Sequence, residues 1–91
     1  MSHIFFHAES PVGPVVVVAG WDSQVRLFFV YAHSAEQEEP VVHTPAARGI
    51  GDVLRAMVEG GVTVTRSVEA QLVPTLADHR SRNSRDRVTL T

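Results

Sequence analysis

Histidine is the residue type with the widest chemical reach in this chain, and there are five: His3, His7, His33, His43 and His79. Two histidines on one strand face must be two residues apart to be neighbours, yet His3 and His7 are four apart. In extended backbone that separation is about 13 Å, too far for both to hold one ion at about 2 Å. No other pair has the four-residue spacing that places two ligands on one helix face, and no carboxylates complete a set. The expectation is histidines that lie at the surface or find partners inside, with no metal site. Nucleophilic chemistry fares no better. The chain has no cysteine, and no serine sits in a strained Gly-x-Ser-x-Gly turn. Gly49 and Gly51 bracket Ile50 but lack the third glycine and preceding strand of a dinucleotide loop. No catalytic, cofactor-binding or metal-ligating residue is therefore assigned, and no cofactor is expected.

The densest charge feature is Arg80, Arg82, Arg85 and Arg87, interleaved with His79, Ser81, Asn83 and Ser84. Guanidiniums gathered near a helix end could grip phosphates, with serine and asparagine adding hydrogen bonds. Asp78 and Asp86 dilute the patch, no aromatic residue interleaves it, and the helix dipole favours cations there without any ligand. Nucleic acid is thus an alternative partner rather than the leading one. All eight basic residues are arginine, a bias that GC-rich codon usage explains more simply than function.

Ile4, Phe6 and Ala8 alternate with Phe5, His7 and Glu9, the period of a half-buried strand. Two prolines and a glycine in Ser10–Pro14 force a turn. Val15–Ala19 is a β-branched run with no polar side, suited to a strand covered on both faces. After a turn at Gly20–Ser23, a third strand is expected over Gln24–His33. Val25, Leu27, Phe29 and Tyr31 share one of its faces; Arg26, Phe28 and Val30 share the other. Short connections make these strands an antiparallel meander.

Residues 34–44, with Glu36, Glu38, Glu39 and Pro40, read as a mobile acidic loop. Thr44 followed by Pro45 predicts a helix start, and Ile50, Val53, Leu54, Met57 and Val58 give one apolar helix face ending at Gly60–Gly61. Val62–Thr65 is a short strand or an extended connection. Ser67 is the expected cap of a second helix carrying Val68, Leu72 and Leu76, which Pro74 should kink and Asn83 should stop. Val88–Thr91 alternates as a last strand.

These elements make a single α+β domain over 1–91: an antiparallel sheet of three to four strands, in the order β-β-β-α-[β]-α-β, with two helices on one face. Net charge of −2 gives no general attraction to nucleic acid or anionic membrane. Met1–Phe6 has neither the basic region nor the apolar run of a signal peptide, and no stretch could span a bilayer. The cytoplasm follows by default.

Ala19-Gly20-Trp21-Asp22, followed by Phe28 and Phe29, is similar to a loose set of short uncharacterised bacterial proteins. The resemblance covers the first third of the chain and implies a bacterial origin and no activity.

Two amphipathic helices can cover only one face of such a sheet, while its strands look apolar on both. The expectation is a non-enzymatic interaction or regulatory module that self-associates as a homodimer through its sheet, with Phe28, Val30 and Trp21 as candidate contacts. The alternatives are a nucleic-acid-associated protein using Arg80–Arg87, and a small enzyme with a site between subunits.

Overall fold

A computed structural model describes all 91 residues. The chain is α+β, but the sheet has five strands and is mixed. Its order is β4-β3-β2-β1-β5, with β1 His3–Ser10, β2 Gly13–Asp22, β3 Leu27–His33, β4 Val42–Ala47 and β5 Arg87–Thr89. The helices are α1, Ile50–Glu59, and α2, Arg66–Arg82. Neither is long and apolar enough to cross a membrane.

The β1–β2 hairpin closes on Ser10 opposite Gly13, which holds φ +106, a value a side chain would resist. The Ser10 hydroxyl donates to the Gly13 carbonyl at 2.9 Å. That closure sets the register for the sheet: Ile4 pairs Ala19, and Phe6 pairs Val17. β3 continues it, with Trp21 opposite Phe28, Ala19 opposite Val30 and Val17 opposite Ala32. All of these side chains point to one face, where α1 and α2 bury them in a single cluster with Val53, Met57, Val68, Leu72 and Leu76.

Several expectations need correction. β3 begins at Leu27 rather than Gln24, and Val25 lies exposed in the turn. Thr44 and Pro45 do not start a helix. They belong to β4, an edge strand, where a missing N–H costs no ladder bond. The register slips between Phe28 and Val30 to fit them, so Val30 faces Thr44 and Phe28 faces Ala47. The acidic loop consequently ends before Val42. α1 starts after Gly49, which supplies no side-chain cap. On its apolar face Val53 and Met57 are buried, but Val58 is 74% exposed.

The cap of α2 is Thr65 rather than Ser67: its hydroxyl accepts from the Val68 N–H at 3.2 Å. Pro74 does not divide the helix, which runs unbroken for 17 residues. Asn83 ends it in the left-handed conformation, as its residue type suggested. Of Val62–Thr65, only Thr63 bridges, to Glu9. β5 joins beside β1 and runs parallel to it, which makes the sheet mixed.

His79 is neither at the surface nor partnered. It is 2% exposed beneath the end of α2, and its Nδ1 has no hydrogen-bond partner. Burial holds its pKa below the ordinary value, against the pull of Asp78 and Asp86 and with a smaller push from Arg82.

Two outcomes follow from this packing. Leu72 is 1% exposed, so Leu72→Ala should cost about 2–5 kcal/mol in chemical denaturation by leaving a cavity. The lowered folded-state pKa of His79 means that the unfolded chain takes up its proton first as pH falls. Stability is therefore intact above the ordinary histidine value of about 6.5 and is lost as pH drops from there through the folded value. Thermal melts should show that loss, and His79→Leu should reduce it more than His7→Gln does.

Candidate functional site on the uncovered sheet face

Side chains alternate along a strand, so the residues between the core positions share the opposite face. No element of the chain covers it. Phe5 pairs Val18, which pairs Tyr31, which pairs His43; His7 pairs Val16, which pairs His33; and His3 lies level with Arg87. Four of the five histidines thus meet one face. Alternation within β1 and β2 also puts Glu9 and Asp22 there, towards opposite ends of the strands.

Aromatic rings form a ribbon across this face. Tyr31 stacks on His43 with centroids 5.3 Å apart and lies 6.5 Å from His33. It tilts against Phe29 at 5.7 Å, and His3 meets the edge of Phe29 at 5.9 Å. His3 stacks on Phe5 at 6.1 Å, and the Arg87 guanidinium lies 5.1 Å above the Phe5 ring. Phe29 can cross β2 towards His3 because Gly20 lies beneath it. A Cβ on Gly20 would come within 2.8 Å of Phe29 Cζ and would collide with the Ser2 carbonyl oxygen. Phe5, Val18, Tyr31 and His3 are half-buried; Val16, His7, His33, His43, Arg87 and Thr89 are exposed. Burial lowers the pKa of His3, with Arg87 and the chain's amino terminus adding to the effect.

The residues named from sequence lie elsewhere, with one exception. Phe28 and Val30 are fully buried beneath the helices, on the face opposite the uncovered one. Trp21 is also buried: its ring meets Phe28 edge-on at 4.9 Å, and its Nε1–H donates to Asn83 Oδ1 at 2.9 Å. It ties the end of α2 to the sheet. Of the arginines, Arg82 is held by Asp78 at 2.7 Å and by Asp86 at 3.2 Å, hydrogen bonds that raise its pKa and lower that of Asp78. Arg80 lies 5.6 Å over Phe28, on the helix side. Arg85 is exposed, and only Arg87 reaches the uncovered face.

Sequence reasoning missed His3, Phe5, His7, Phe29, Tyr31, His33 and His43 as a group. The signal was present in parity: Tyr31 and His33 both carry polar atoms and share a face with Phe29. No three of the histidines and carboxylates gather as a ligand set. An open groove of about 860 Å³ lies between the helices, walled by Leu54, Met57, Val58, Leu72 and Val73. No protein-family model, curated protein or solved structure matches the chain.

The close approach over Gly20 is testable by itself. Gly20→Ala should destabilise the chain by about 1–3 kcal/mol through overpacking, measured by denaturant titration. It should also lift Phe29, giving faster amide exchange in β3.

Proposed function

We propose that this protein is a non-enzymatic interaction module that self-associates through the uncovered sheet face. The observation that carries the reading is the patch of Phe5, Val18 and Tyr31, half-buried, with the exposed Val16, around the buried Phe29 on a face that no helix covers. Leaving such a surface in water forfeits about 25 cal/mol for every Å² that a partner could bury. A second copy of the same face is the occupant best matched to it, packed as two aligned sheets. Charge supports that choice. Arg87 lies level with His3 at the start of β1 and Glu9 lies near its end. A two-fold axis across the strands would set Arg87 of each copy near Glu9 of the other. With neutral histidines, no other charge in the middle of the face opposes contact.

Support for the nucleic-acid alternative is weaker. A phosphate-tracking groove needs several free cations, and Arg82 is engaged by two carboxylates while Arg80 lies on the other face. Nor does any group of side chains converge as an acid, base or nucleophile would have to.

Sedimentation equilibrium at micromolar concentration and neutral pH tests the reading. Twice the chain mass is expected, with Tyr31→Asp monomeric and Val58→Asp, on the helix side, still dimeric. Circular dichroism should find both variants folded. A single-chain mass for the unaltered protein overturns the dimer. A mobility shift of single-stranded probes, lost in Arg87→Gln, would replace it with nucleobase stacking on the same rings.

A further inference from the structure

We infer that His33 and His43, supported by His3 and His7, make the association of the uncovered face pH-dependent, closing it when they are neutral and opening it when they are charged. The inference rests on the dimer reading and adds its regulation. Its basis is placement: four of five histidines lie on one face, spread over β1, β3 and β4. His33 and His43 flank Tyr31, the ring at the centre of the exposed aromatic surface.

The charged neighbours rank the four. On β5 the facing group is Arg87, beside His3. On β1 it is Glu9, two residues beyond His7 on the same face. On β2 it is Asp22, at the far end of the strand, where its carboxylate accepts from the Gln24 N–H. β3 offers the Tyr31 hydroxyl, and β4 offers no ionisable group on this face besides His43. The helices lie behind the sheet. Burial, Arg87 and the amino terminus all resist protonation of His3 even in the free chain. Glu9 can partner a charged His7, so His7 opposes association least. Neither His33 nor His43 is paired with a carboxylate, although the β3–β4 connection between them carries the exposed Glu36, Glu38 and Glu39. Both imidazoles are exposed, so a covering copy would remove their water, and none of the carboxylates that face them from the strands would supply a counter-charge.

The sign follows from which state holds fewer protons. Covering disfavours the charged imidazole, so the dimer binds fewer protons than two free chains, and raising pH favours it. The weakening is therefore expected on the acid side of neutrality, where an imidazole takes up a proton. Each imidazole that must shed a proton weakens association about tenfold between about pH 7.5 and about pH 5.5. His33 and His43 of two copies set a ceiling of about 10⁴-fold, and a weakening of at least about 100-fold is expected.

The experiment is a pH series of sedimentation equilibrium on the full chain and on the double variant His33→Gln with His43→Gln. Far-UV circular dichroism at each point restricts the comparison to pH values where the chain is folded, which separates dissociation from acid unfolding through His79. The expected result is an unaltered protein that dimerises near neutrality and dissociates in acid, beside a double variant that stays dimeric at both. A dimer of constant affinity across the folded range overturns the pH dependence and leaves the dimer standing. Full pH dependence in the double variant overturns the assignment to His33 and His43. A single-chain mass at every pH overturns the dimer reading and this inference with it.

Discussion

Phe28 and Phe29 are adjacent in the chain and, because strand side chains alternate, must go to opposite faces of the sheet. Whichever ring the helices cover, the other is left outside. Pairing Trp21 with Phe28 and Gly20 with Phe29 settles the choice, since Gly20 lets the outer ring lie close to the sheet. A slip of one residue would put Tyr31, His33 and Phe29 under the helices and turn Val30 and Ala32 outward. Burying His33 without a partner would cost more than exposing alanine, so the observed register is the one the polar tips allow.

Once that register is set, the rest of the molecule serves the inner face. α1 lies over β3 and β4, and α2 over β2, with Leu72 and Leu76 among the most deeply buried residues. Trp21 fixes where α2 stops by hydrogen bonding Asn83, and the chain then turns back to lay β5 along β1. That return carries Arg87 out of the arginine segment and onto the Phe5 ring. Four arginines that look like one patch in sequence are therefore divided. One is locked by carboxylates, one lies on the helix side, one is exposed and one joins the outer face.

Strand periodicity made β1, β2 and most of β3 legible, and i, i+4 spacing did the same for Leu72 and Leu76. β4 was not legible. Thr44-Pro45 satisfies the local rules for a helix start as well as it does those for an edge strand, and only the unpaired edge of β3 decides between them. β5 is three residues long, too short for any pattern, and its parallel partner lies more than eighty residues away in the chain. Excess apolar strand surface was visible as a property of the sheet, but its location was misassigned. Phe28 and Val30 were placed on the wrong side because parity was read within β3 alone, without carrying it through the hairpin from His7 and Glu9. The buried His79 gave no sign in sequence, since a histidine among arginines and serines near a helix end reads as surface.

The two faces differ in what they can do as well as in what covers them. The inner face holds aliphatic and aromatic side chains whose state does not change with conditions, and His79 is the one titratable group buried with them. The outer face combines aromatic rings with imidazoles, three of them exposed. Were its exposed positions threonine or serine, the sheet would be an ordinary solvated surface. Were they all aliphatic, association would be permanent and the free chain prone to aggregate. Under the proposed self-association, histidine between aromatic residues would be an intermediate solution: adhesive when neutral, repelled by a second copy when charged. If the face associates as proposed, placing histidines within it would let a single sheet supply both contact and control.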